Sequence, residues 1–156
     1  MAATDLTTLF SLKGKTALVT GGSRGIGKMI TQGFLEAGAK VYITARKAEA
    51  CDATAQELSK FGTCISIPAD IGTPEGRKVL LKNFEASESK LHILVNNAGI
   101  SWGAAFETYP DKAFDKILHL NVAAIFSMTR DFCDLLAAGA SAADPARVIN
   151  IGSMDG

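Results

Sequence analysis

The stretch Leu18 to Ile30, LVTGGSRGIGKMI, places glycines where phosphates are commonly held, and it fits two kinds of phosphate. Read from Gly22, it approaches GxxxxGK, the triphosphate-cradling loop. Read from Gly21, it is GxxxGxG, a spacing that seats a dinucleotide pyrophosphate against backbone N–H groups at a helix start. The triphosphate loop needs a hydroxyl after its lysine to hold magnesium, and Met29 follows Lys28. A later strand should also end in an acid for the metal, and only Asp70 stands even roughly in that place. The dinucleotide spacing therefore fits better. Gly21, Gly25 and Gly27 permit a tight turn, close approach of the pyrophosphate and close packing of helix on strand. A glycine-rich turn that holds nothing is the simpler alternative.

The elements around the loop support the dinucleotide reading. Apolar runs rich in β-branched residues recur at 15–20, 40–45, 63–68, 91–96 and 147–152, and read as strands buried on both faces. Helical patterns fill the intervals. Ile26, Ile30, Phe34 and Ala37 form one stripe that stops at Gly38; a second helix spans about 48–61. Thr73 and Pro74 open a third, running towards Glu88. Asp111 caps a long fourth helix whose stripe is Phe114, Ile117, Leu118, Ile125, Met128, Phe132 and Leu135. Strand and helix alternating in this way predict an α/β fold of the Rossmann type. Its doubly wound parallel sheet has about five strands, in one domain over 1–156.

Composition narrows the partners. The 16 basic and 16 acidic residues cancel, which points away from nucleic acid and towards a small ligand. No window approaches the ~18 apolar residues of a membrane span, and the first ten residues lack the basic start and apolar core of an export leader. Cys51, Cys64 and Cys133 are odd in number and contain no CxxC pair, so they read as reduced thiols rather than disulfides or a metal site. The expectation is a soluble, cytoplasmic protein with no metal.

In chain order, TGGSRGIG at 20–27, AD at 69–70, NNAG at 96–99, LNV at 120–122 and INIGS at 149–153 together resemble the short-chain dehydrogenase/reductase family. The resemblance covers essentially everything from Ser11 onward. It is strongest to the 3-oxoacyl-acyl-carrier-protein reductases, and SWGAAFETYP after NNAG is similar to the branch associated with rhamnolipid synthesis. The resemblance implies that Gly21, Ser23, Arg24, Gly25, Ile26 and Gly27 bind the cofactor. It further implies that Asp70 accepts from the adenine amino group, with the Ile71 backbone on the same ring. Asn96, Ala98 and Gly99 would lie beside the cofactor ribose. Where the family usually has an aspartate two residues before LVNNAG, this chain has His92, read with His119 as structural.

The cofactor's form follows from charge. An adenosine ribose with free hydroxyls is gripped by an acid ending the second strand, and that end reads Thr44-Ala45-Arg46. Arg46 and Arg24 instead offer two guanidiniums to a 2′-phosphate, which selects NADP(H).

The resemblance also supplies catalytic roles. Asn121 would hold a water in a proton relay; otherwise it is a core amide satisfied by nearby backbone. Ser153 would hydrogen-bond the substrate carbonyl and steady the developing alkoxide; otherwise it is a turn serine. The family's acid, the tyrosine of YxxxK, is expected about thirteen residues after Ser153, and neither Tyr42 nor Tyr109 matches it. The expectation is therefore the cofactor-binding half of an NADPH-dependent carbonyl reductase, inactive by itself and ending early as a partial sequence. Its substrate would be a 3-oxoacyl thioester or related ketone, and the intact enzyme would be a homo-oligomer. The alternative is a non-catalytic nucleotide-binding or interaction module that associates with intact relatives through the fourth helix. Hydrolase chemistry lacks a GxSxG or a serine partner for either histidine. Arg46→Ala should weaken NADPH binding at least about tenfold and leave NADH nearly unchanged. Parallel titrations with the two cofactors check this, and an equal loss for both would refute the assignment.

Overall fold

The computed structural model describes residues 9–153; most of the stretch read for an export leader, and the chain's last three residues, lie outside this range. The five strands are β1 (Thr16–Thr20), β2 (Lys40–Thr44), β3 (Cys64–Ser66), β4 (Ile93–Asn96) and β5 (Arg147–Asn150). They form one wholly parallel sheet in the order β3-β2-β1-β4-β5. The helices are α1 (Gly25–Glu36), α2 (Ala48–Leu58), α3 (Pro74–Glu85), α4 (Asp111–Leu118), α5 (Ala124–Asp131) and α6 (Cys133–Gly139). Chain order reverses direction across the sheet between β1 and β4, and ligands of open α/β sheets gather at the carboxyl ends of such a pair.

Period-two alternation along the central strands builds a core on each face. Ala17, Val19, Val41, Ile43 and Val95 pack with Leu35, Cys51 and Leu58 from α1 and α2. Leu18, Tyr42 and Leu94 pack on the other face with Leu80, Phe84, Met128 and Phe132 from α3 and α5 and their borders. There the rings of Tyr42, Phe84 and Phe132 meet edge to face, with centroids 4.7 and 5.6 Å apart. Burial pushes the Cys64 thiol up to about 11 and raises Cys51 as well, so neither is a ready nucleophile.

Four expectations need correction. The long fourth helix is divided: α4 passes into a π-helical turn at His119–Ala123 before α5, and Phe132 interrupts the path into α6. Asp111 is the first helical residue rather than the cap; the Pro110 carbonyl accepts from Ala113 and Phe114, and the carboxylate adds favourable charge to the first turn. Of the predicted stripe, Phe114 and Leu118 are 54% and 44% exposed. Last, β5 is a sheet edge whose four residues are all exposed, so its apolar run is not buried on both faces.

His92 occupies a supporting position at the start of β4. Its Nδ1 accepts from the Thr16 backbone N–H at 3.0 Å, which requires an unprotonated Nδ1. Burial, then the charge of Lys15, holds its pKa below the ordinary 6.5. The unfolded chain therefore binds a proton at a pH where the folded one does not. Stability from this source should be complete above pH 6.5 and decline as pH falls through 6.5 towards the folded value. Urea midpoints measured between neutral and mildly acidic pH should show this decline, and His92→Asn, whose oxygen can accept from Thr16, should flatten it.

Candidate functional site

At the carboxyl edge of the sheet the chain forms a cleft of about 380 Å³. Its floor is the glycine turn between β1 and α1, and its walls are the ends of β2, β3 and β4. The turn is built from two glycines with separate duties. Gly21 has φ +66°, a left-handed conformation that other residues adopt at a cost. Gly27 sits where any Cβ would collide with the Gly21 carbonyl, so α1 can press against the turn only without a side chain there.

Three side chains outside the turn lock it. Thr20 Oγ1 accepts from the backbone N–H of Asn97 and Ala98, at 2.9 and 3.0 Å, and donates to the Val95 carbonyl. Asn97 Nδ2 donates to the Thr20 and Gly21 carbonyls, at 2.9 and 3.3 Å. From α2, Thr54 donates to the Ser23 carbonyl at 2.9 Å. The loop that would meet a phosphate is thus fixed from β4 and α2 before any ligand arrives.

Ser23, Arg24, Gly25 and Ile26 line the cleft with Gly21 and Gly27, and Arg46 borders it from beyond β2. Both arginines are exposed, and Thr44-Ala45 beside Arg46 contributes no acid. Asp70 and Ile71 line the wall after β3, where Asp70 Oδ1 accepts from Gly72 N at 3.0 Å and so holds its carboxylate in one orientation. Ala98 and Gly99 complete the β4 side.

Asn96 does not join them. Its side chain is buried within the sheet, with Nδ2 donating to Asn150 Oδ1 at 2.9 Å and reaching Thr129 Oγ1 at 3.4 Å. The cleft is lined instead by Asn97, which the sequence reading did not single out. The available signal was the doubled asparagine: on a pleated strand, two neighbours face opposite ways. Thr20, Thr54, Ile100 and Leu120 were likewise not anticipated.

Asn121 lies in the π-helical turn, half-buried and outside the cleft lining. Its Oδ1 accepts from Ile100 N at 3.0 Å and its Nδ2 donates to Ile100 O at 2.9 Å. One amide thereby satisfies a whole residue's backbone and ties the loop after β4 to the helix. π turns within helices are frequent at functional sites, and in this one the amide bonds to that loop. Ser153 is exposed, three residues past β5 on the edge that carries the glycine turn, and is not part of the cleft wall.

Neither tyrosine lines the cleft. Tyr42 donates to Glu88 Oε1 at 2.8 Å; burial first, then Glu88, holds its hydroxyl above the ordinary 10. Tyr109 donates to the Trp102 carbonyl at 3.2 Å. Among the described residues no cluster of His, Cys, Asp and Glu could hold a metal, and no helix is long and apolar enough to cross a membrane.

A parallel sheet with a glycine turn at its switch point, flanked by guanidiniums, defines a dinucleotide-binding α/β protein. The profile of the short chain dehydrogenase family matches residues 15–156, and the chain belongs to that family. It is 55% identical over 147 residues to the rhamnolipids biosynthesis 3-oxoacyl-[acyl-carrier-protein] reductase of Pseudomonas aeruginosa, covering 94% of this chain and 57% of that protein. It is 33% identical to the 3-oxoacyl-[acyl-carrier-protein] reductase FabG of Chlamydia trachomatis, covering 93% of this chain and 58% of the relative. The structure superposes on the Pseudomonas aeruginosa RhlG/NADP active-site complex with a TM-score of 0.90 at 56% identity, over 92% of this chain and 56% of that one. The chain thus spans somewhat more than half the length of these relatives.

Asn121→Ala should leave both Ile100 backbone groups without their partner and cost about 1–3 kcal/mol. Urea denaturation measures this loss, and an unchanged midpoint would show that the amide does not support the loop.

Proposed function

We propose that this chain is the cofactor-binding half of an NADPH-dependent reductase acting on a carbonyl, with a 3-oxoacyl thioester or related ketone as substrate. The observation that carries the reading is the cleft itself, with a locked glycine turn, arginines 24 and 46 at its border and no acid at the end of β2. The residues fit the group. Backbone around Gly21–Gly27 receives the pyrophosphate, Arg24 and Arg46 the 2′-phosphate, Asp70 and Ile71 the adenine, and Ala98-Gly99 the ribose. NADPH supplies hydride when bound. The 55% identity to a 3-oxoacyl-carrier reductase supports the substrate class.

In the intact enzyme Ser153 would hold the carbonyl oxygen and stabilise charge developing on it. Asn121, its side chain engaged with Ile100, would act in the proton relay through water at its turn. The proton itself needs an acid, a contribution of roughly 10²–10⁴-fold, and within 1–156 both tyrosines are committed elsewhere.

A row of exposed apolar residues, Phe114, Leu118, Val122 and Phe126, runs along α4 and α5 and supports self-association of the intact enzyme. The same row favours the second reading, an interaction module that pairs with intact relatives.

Residues 1–156 should bind NADPH saturably, seen as energy transfer from Trp102, and more tightly than NADH. They should show no NADPH-dependent reduction of acetoacetyl thioesters. Absent binding would overturn the cofactor reading, and clear turnover would overturn the account of the missing acid.

A further inference from the structure

The turn after β3 is held more firmly than a surface loop requires. Its Asp70 carbonyl accepts from the Thr73 backbone N–H at 3.1 Å. The next carbonyl, of Ile71, accepts from Arg77 Nη1 on α3 at 2.9 Å. The third, of Gly72, lies 2.6 Å from His119 Nε2 in the π-helical turn. A carbonyl can only accept, so this nitrogen carries its hydrogen. Three consecutive peptide planes are thus fixed from three directions, and because each plane is rigid their N–H groups are fixed as well.

Arg77 is 7% exposed, and its Nε also donates to Asp131 Oδ2 at 3.1 Å, at the end of α5. Burying such a pair is costly, and an apolar side chain of similar volume often serves stability as well. What a guanidinium adds is direction, since its forked donors can address a carboxylate and a carbonyl together. His119 is exposed and contributes no packing of comparable depth. Both side chains converge on the one segment of the cleft wall that contains Asp70 and Ile71.

We propose that Arg77 and His119 are positioning residues that set the turn Asp70–Thr73 for an adenine base, making base selectivity depend on two side chains that need not touch the ligand. This rests on the cofactor reading above. Neither residue belongs to the motifs of the family resemblance, and each acts through a backbone carbonyl.

The test compares NADP+ with its hypoxanthine analogue, in which an oxo group replaces the adenine amino group, by equilibrium binding to residues 1–156. The wild type should prefer NADP+. Arg77→Met and His119→Phe should each weaken NADP+ about tenfold and the analogue far less, so that selectivity collapses. His119→Gln, which restores a donor, should recover it. A merely structural role would weaken both ligands equally or neither, and either result overturns the proposal, as does a wild type without preference. Should Arg77→Met fail to fold, the exposed His119 pair decides alone. Failure of the wild type to bind either dinucleotide would instead remove the cofactor reading, and this inference with it.

Discussion

The reciprocal bonding between Thr20 and Asn97 is the constraint on which the site depends. One hydroxyl accepts two backbone N–H groups at the end of β4, and one carboxamide returns two bonds to the end of β1. These four bonds join the two strands at the place where the sheet's winding reverses and where their ladder ends. The N–H groups that share the peptide planes of the Thr20 and Gly21 carbonyls, those of Gly21 and Gly22, donate to the Thr44 carbonyl at 2.8 and 3.3 Å, so each plane is held from β2 at one end and from Asn97 at the other. Gly27 makes the arrangement possible by leaving no atom between α1 and the Gly21 carbonyl. A preorganised row of donors costs little reorganisation when an anion arrives, and here the preorganisation comes from the side chains of Thr20, Asn97 and Thr54 together with the Thr44 carbonyl.

Around the cleft the described groups are backbone donors, two exposed arginines and an oriented carboxylate, a set suited to binding. Several titratable side chains outside the cleft are engaged elsewhere. Tyr42 is buried against Phe84 and bonded to Glu88, which also pairs with Lys40 at 2.6 Å. The Cys51 and Cys64 thiols are raised by burial. Lys15 pairs with Asp144, and Lys28 with Glu57 across the outer face of α1 and α2. On the proposed reading the cleft is a dinucleotide seat, and Ser153, outside the cleft lining, would supply the contact to the substrate carbonyl.

Local requirements made much of this legible in the sequence. The glycine turn was readable because its φ values and close approaches exclude other residues, and the strands because continuous apolar runs suit a sheet covered on both faces. Thr73-Pro74 opened a helix as its types demand, with Thr73 Oγ1 accepting from Gly76 N. What was not legible depends on parity or on distance along the chain. Asn96 and Asn97 are chemically identical, and only the pleat decides which one enters the sheet. The π turn carries no breaker in its HLNVA sequence and exists where Asn121 meets Ile100, 21 residues earlier. Arg77 meets Asp131 54 residues away, a pairing that neither helix pattern signals. The exposure of Phe114 and Leu118 likewise follows from which neighbours are packed on α4, not from its spacing.

On the proposed reading the carboxyl edge of the sheet is a seat for a 2′-phosphorylated adenine dinucleotide. An amide-resolved NMR titration of residues 1–156 with 2′,5′-ADP, the adenine half alone, tests it most directly. Saturable shifts are expected at Gly21–Gly27, Arg46, Ile71 and Gly72, with little change at Gly14, Gly38 and Gly62 on the opposite edge. Shifts concentrated on that opposite edge, or none that saturate, would contradict it.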